Sequence, residues 1–171
     1  LDVLNRRNPV WIELGLQTTH DKTLHAIRSG FTLSQFEQAV SDLHKSNIPV
    51  ITHLILGLPG ETKEDMLSSV RYVGSLPVTG IKLQLLHILK GTDLGTAYMA
   101  DPFPLFTLEE YCDLIADCIA LLPPEIVIHR LTGDGPRHLL LAPLWSTDKK
   151  RVLNTIQKCL RERDLWQGKN I

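Results

Sequence analysis

Acids, amides and bases recur at alternate positions of short apolar runs in this chain of 171 residues. Residues 10–17 read VWIELGLQ, which puts Glu13, Gly15 and Gln17 on one face of an extended segment and Ile12, Leu14 and Leu16 on the other. Residues 80–88, GIKLQLLHI, repeat the pattern with Lys82 and Gln84 on one face. The run at 50–56 adds His53, and the run at 125–131 adds His129 and Arg130. An acid and an amide on the same face of a buried strand are costly unless they are paired or bind something. If these strands curve into one wall, Glu13, Gln17, His53, Lys82 and Gln84 line a polar lumen. A buried Glu13–Lys82 ion pair that only fixes strand arrangement is the structural alternative. Four strands that each supply a polar inward residue weigh against it.

The loops between these runs point the same way. Gly57-Leu58-Pro59-Gly60-Glu61-Thr62 follows an apolar run and opens a helix. Glycines there let the backbone approach a ligand, and a helix N-terminus favours negative charge. Lys90-Gly91-Thr92 and Gly133-Asp134-Gly135-Pro136 form comparable turns, the second with a proline suited to a first helical position.

Other chemistries find less footing. Cys112, Cys118 and Cys159 lack the close spacing of a zinc or redox motif and read as buried structural thiols, so no metal site is expected from this chain's own residues. The absence of a disulfide pattern favours a cytoplasmic protein. Hydrophobic residues make up 43% and charged residues 22%, ordinary values for a globular domain. A net charge of −1 gives no global pull toward nucleic acid, although Lys149, Lys150, Arg151, Arg161 and Arg163 make the last helical segment basic. The apolar runs are too short to span a bilayer, and no membrane association is expected. The opening LDVLNRRNP has no apolar stretch of the kind a secretory leader needs.

The elements that must position these residues alternate. Strands are expected over residues 10–17, 50–56, 80–88 and 125–131, and helices over 20–28, 34–46, 63–75, 108–122 and 148–163. Thr32 with Gln35, Thr62 with Asp65, and Thr107 with Glu110 carry the capping-box signature ahead of three of the helices. Pro123-Pro124 stops the fourth helix. Near-continuous apolar strands alternating with helices imply right-handed βαβ units, a parallel sheet and a single α/β domain. In such sheets the working groups gather at the carboxyl ends of the strands.

The ordered set ELGLQ, HLILGLPGET, LLHILKGT and HRLTGDGP resembles the radical S-adenosylmethionine (SAM) superfamily, in particular the group related to the elongator catalytic subunit and to coproporphyrinogen dehydrogenase. HRLTGDGP together with PLWS and the terminal QGK is similar to a bacterial iron–sulfur oxidoreductase subfamily linked to tRNA wobble-uridine modification. The resemblance covers nearly the whole chain. It implies an α/β fold forming the C-terminal half of a partial (β/α)6 barrel, strands four to six plus a C-terminal extension, with outer helices. The family's cluster-binding CxxxCxxC loop lies outside this sequence, so the implied cofactors are SAM and a [4Fe–4S] cluster whose ligands are elsewhere. This chain alone is then expected to be inactive. By matching position, Gln17 would contact the SAM ribose, and His53 stands where relatives carry an acidic ribose ligand. Gly57, Gly60 and Glu61 would lie beside the adenosyl group and Gly91 near the adenine. Arg28 falls one residue before the place of an arginine that binds the SAM carboxylate. Glu13, Lys82, Gln84, His129 and Arg130 remain as candidates to hold substrate or relay protons. Implied partners are tRNA and a reductant such as flavodoxin or ferredoxin. A small metabolite or tetrapyrrole as substrate, or a docking role without chemistry, are the rival readings. With residues 10–17 at a sheet edge, the chain is also expected to self-associate.

Overall fold

The structure, a computed structural model, describes residues 2–171. A short helix α1 (Asp2–Arg7) leads into β1 (Ile12–Gln17), α2 (Asp21–Ala26), α3 (Leu33–Lys45), β2 (Val50–Leu56), α4 (Lys63–Gly74) and β3 (Gly80–Leu85). There follow β4 (Ile88–Leu89), α5 (Asp93–Ala100), α6 (Leu108–Ala120), β5 (Val127–Arg130), β6 (Leu140–Ala142), a 3-10 turn at Leu144–Thr147 and α7 (Lys149–Glu162). The strands β1-β2-β3-β5 form one parallel sheet in that order.

Alternation along the strands sorts side chains to two faces. Leu16, Leu54, Leu56, Ile81 and Leu83 are buried on one, packed with Val70 and Val73 of α4 and Leu114 and Ile115 of α6. The helices layer outward from there: α3 on β1 and β2, α4 on β2, α6 against α4, and α7 against α6. α7 contributes Val152 and Ile156 to the core. All three capping boxes form: Thr32, Thr62 and Thr107 each accept from the N3 amide, and Gln35, Asp65 and Glu110 reach back to the cap. The other face of the sheet carries Glu13, Gly15, Gln17, His53, Lys82 and Gln84, partly exposed.

The third strand is shorter than its apolar run predicts. It ends at Leu85, and Ile88–Leu89 peels away to pair antiparallel with β6, Ile88 opposite Ala142 and Leu89 opposite Leu140. Lys90 N–H donates to Leu139 O at 2.8 Å and extends this two-stranded clasp. Leu58, Leu86 and Ile88 form a second small core beneath it. The segment after β3 is thereby fixed over the carboxyl end of the sheet by residues some fifty positions later in the chain. No helix among the described residues is long and apolar enough to cross a membrane.

Candidate functional site

The carboxyl end of β1 is built irregularly. The β1–β2 register shifts between Gly15 and Gln17, and Gln17 takes a left-handed φ of 65°. With its amide oriented to satisfy its neighbours, the Gln17 side-chain nitrogen donates to Gly15 O at 2.9 Å and Leu16 O at 3.0 Å. That leaves its carbonyl oxygen as a fixed acceptor. A side chain at position 15 would collide with the Gln17 amide, 2.3 Å from where its Cβ would stand. Glycine two residues before glutamine is what permits the fold-back.

Beyond Gln17 the chain is stitched to the loop after β2. Thr18, fully buried, donates its hydroxyl to Glu61 Oε1 at 2.5 Å. Thr19 N–H donates to Ser69 Oγ at 3.2 Å, and the His20 ring meets Asp65 O at 2.9 Å. The loop itself turns at Gly57, whose φ of 92° favours glycine and whose N–H donates to Met66 Sδ at 3.1 Å. Residues 57–61 line a largely apolar cleft of about 350 Å³ whose other walls include Leu86, Phe103, Leu105 and Phe106. A fixed acceptor, a turn that presents bare backbone and an apolar slot beside it are suited to a ribose hydroxyl and a heteroaromatic ring. These residues fit the adenosyl portion of SAM. The cysteines do not fit the cluster: Cys112 and Cys118 are buried in α6, and Cys159 lies on α7 with its thiol 3.0 Å from Asp113. No group of three or more potential metal ligands converges among the described residues.

Four of the polar residues singled out in the sequence meet on the open face. Lys82 Nζ donates to Glu13 Oε2 at 2.5 Å, reaching across β2 from β3 to β1. His53 Nε2 lies 2.9 Å from the same oxygen, and Gln84 Nε2 lies 3.3 Å from His53 Nδ1. Glu13 is held below its ordinary value chiefly by the Lys82 hydrogen bond. His53 is pushed below 6.5 by burial and then by the Lys82 charge, which together outweigh the attraction of Glu13. A neutral ring gives the chain one direction: Gln84 donates to His53, and His53 donates to Glu13, which also receives Lys82. The result is an ordered polar line across three strands, competent to hold a substrate group or pass a proton.

The remaining candidates scatter. Arg130 pairs with Asp134 at 3.2 Å, and the register shift between Ile81 and Lys82 sets it opposite Lys82. His129 is exposed with its ring over Gly80. Arg28 has a left-handed φ of 55°, and its exposed guanidinium meets Asp93 at 2.9 Å, tying the end of α2 to the start of α5. Gly60 and Gly91 both turn with positive φ and have open space beside them. Sequence reasoning missed Thr18 and His87. His87 belongs to the run LLHILKGT, where apolar neighbours on both sides made it read as strand interior.

A parallel α/β sheet with polar residues on one face and a glycine turn at its carboxyl end is an arrangement in which ligands gather at that end. Residues 1–73 match the radical SAM superfamily and residues 78–162 match the Radical_SAM C-terminal domain. The chain belongs to the radical SAM superfamily. It is 40% identical to the protein YtqA of Bacillus subtilis over 166 residues, 97% of this chain and 52% of that protein. It is 27% identical to a tRNA uridine(34) acetyltransferase of Dehalococcoides mccartyi, over 90% of this chain and 35% of that one. Elp3 of Methanocaldococcus infernus has the same fold, with a TM-score of 0.82 at 17% identity, covering 97% of this chain and 39% of Elp3. The chain spans about half the length of YtqA and a smaller share of the other two.

Proposed function

We propose that this chain is the part of a radical SAM enzyme that holds the adenosyl group of SAM and one wall of the substrate site, and that the substrate is a base in tRNA. The observation that carries the first half is the union of β1 and the glycine turn through Thr18 and Glu61, beside the apolar cavity at residues 57–61. Gln17 Oε1 would accept from a ribose hydroxyl, and the backbone at Gly57 and Gly60 would face the adenosyl group, with Gly91 toward the adenine. Arg28 is close enough in sequence to serve the SAM carboxylate only by leaving Asp93. With a [4Fe–4S] cluster held by residues outside this chain and a reductant such as flavodoxin or ferredoxin, SAM bound here would supply one-electron hydrogen-abstraction chemistry at the substrate. Glu13, His53, Lys82 and Gln84 orient the substrate or move its proton along the line just described, with His129 and Arg130 at its margin.

The tRNA assignment draws support from the name of the acetyltransferase relative and from that of Elongator complex protein 3 of Schizosaccharomyces pombe, which is 25% identical over 82% of this chain. Lys150, Arg151 and Lys158 of α7 line an open groove on the surface, a place for phosphate contacts. The single domain, the cytoplasmic setting and the wobble position belong to the same proposal. The test is anaerobic incubation of the intact, cluster-loaded protein with SAM and dithionite. Formation of methionine and 5′-deoxyadenosine, together with salt-dependent binding of tRNA, is expected. Neither product forming contradicts the first half; products without tRNA binding move the substrate to a small molecule.

A further inference from the structure

Among the described residues, two buried side-chain polar atoms have no hydrogen-bond partner: Thr52 Oγ1 and His87 Nε2. His87 lines a cavity of about 250 Å³ at the carboxyl ends of β3 and β5, together with Ile55, Gln84, Leu86, Gly133 and Asp134, and its Nε2 lies beneath Gly133. Its chemistry is fixed by its neighbour. Gly135 N–H donates to His87 Nδ1 at 3.2 Å, so Nδ1 is an acceptor and the neutral ring carries its hydrogen on Nε2. Burial, the largest influence, holds the imidazole below 6.5 against the attraction of Asp134. His87 is thus a neutral donor with nothing to donate to, a state that folded proteins rarely carry without a use.

The surroundings say what would accept that hydrogen. Asp134 is matched by Lys149 at 2.5 Å and by Arg130 at 3.2 Å, and Glu13 is matched by Lys82 and His53. Asp134 is the charged residue that lines the cavity and no lysine or arginine lines it, so an anion would find no cation in contact there. Gln84 gives one amide hydrogen to His53 and keeps its carbonyl oxygen as an acceptor. Ile55 and Leu86 supply apolar walls. A donor and an acceptor between apolar surfaces complement a planar group with a carbonyl beside an N–H.

The segment above the ring lies close. A Cβ on Gly133 would stand 2.3 Å from Nε2, and one on Gly135 would stand 2.8 Å from Nδ1. Residues 133–135 cover the ring, held by the Gly135 amide and by the ion pairs of Asp134. We propose that this segment covers a subsite separate from the glycine-turn cavity, where His87 Nε2–H donates to the carbonyl oxygen of a neutral lactam and Gln84 accepts from its N–H. The subsite deepens the proposed function by naming the chemical class of the substrate edge, and it rests on that reading only in calling the occupant substrate.

The experiment is ¹⁵N NMR of the 171-residue chain, reading the His87 ring nitrogens and the Gly133 and Gly135 amides while 2-pyridone, a neutral lactam, is added. Benzoate serves as an anion of similar size, and SAM is added separately. We expect 2-pyridone, and not benzoate, to shift these signals. Its affinity should fall about tenfold in His87→Phe, which loses one hydrogen bond, and should largely survive in His87→Gln, which restores a donor. Gly133→Ala should abolish the Nε2 shift while the rest of the spectrum keeps its dispersion. No shift with 2-pyridone, equal affinity in His87→Phe, or equal response to benzoate overturns the subsite. SAM shifts at residues 57–61 report on the cofactor reading separately, so 2-pyridone binding without them supports the subsite and counts against that reading alone.

Discussion

Lys82 reaches from β3 across the whole width of β2 to place its ammonium 2.5 Å from Glu13 Oε2 on β1. Its side chain is 13% exposed where that of Glu13 is 40% exposed, so the cation is the more dependent partner. His53 lies beneath the bridge and shares the same oxygen at 2.9 Å. Three parallel strands are thus cross-linked on the face that the helices do not cover.

That relationship sets a pH profile. Glu13 is held below its ordinary 4.5, first by the Lys82 hydrogen bond. A depressed carboxyl stabilises the fold above its unfolded value, and the contribution is lost as the pH falls through the lowered folded value. His53 is depressed below 6.5 by burial. Its contribution is present above 6.5 and is lost as acid protonates it in the folded state. Stability should therefore decline from neutral pH into acid. Glu13→Gln should cost about 1 kcal/mol at neutral pH, a figure kept small because the carboxylate is partly solvated, and should flatten the lowest part of the curve. Urea midpoints across the pH range check it; an unchanged midpoint and profile in the variant contradict the assignment.

The thiols make a second prediction. Cys112 is pushed up to about 12 by burial, and Cys118 is pushed higher still by the same cause. Both should resist a thiol reagent in the native state, leaving Cys159, the partly exposed one, as the first to react. Reconstitution of this chain with iron and sulfide should leave no thiolate-ligated cluster, because two of its thiols are locked inside α6. Three fast-reacting thiols in the native protein, or a stable brown protein, would show that these helices open.

A third prediction concerns the sheet edge. β1 has β2 as its hydrogen-bonded neighbour on one side, and Trp11 just before it is 62% exposed. Val127, on the opposite edge strand β5, is 58% exposed. An open strand edge with exposed large apolar residues is a template for another copy. Light scattering at micromolar concentration should give a mass above 19.2 kDa, most simply twice that for a two-fold dimer. A clean monomer means that the edge is protected.

How far these features were legible depends on how local their causes are. The capping boxes at Thr32, Thr62 and Thr107 were readable because cap and partner lie three residues apart. The polar face of Glu13, Lys82 and Gln84 was readable because strand alternation has a period of two. The end of β3 at Leu85 was not, since β4 leaves the sheet to pair with β6 and nothing within residues 80–89 announces it. α5 was missed as well: DLGTAYMA has a glycine in its interior and no strong apolar stripe, leaving the Thr92 cap as its local signal. The Thr18–Glu61 bond joins residues 43 apart in the chain, and the role of Thr18 emerges only when β1 and the glycine turn are seen side by side.

The most direct test of the central claim, that the carboxyl end of β1 and the glycine turn hold SAM, is equilibrium dialysis of SAM against the intact protein and two variants. Gln17 ends β1 with its carbonyl oxygen free, whereas Gln84 is engaged with His53 deeper on the sheet face. Gln17→Ala should weaken SAM binding by about 1–3 kcal/mol, the cost of one lost hydrogen bond, and Gln84→Ala should leave it nearly unchanged. Equal SAM affinities for Gln17→Ala and Gln84→Ala would contradict the account.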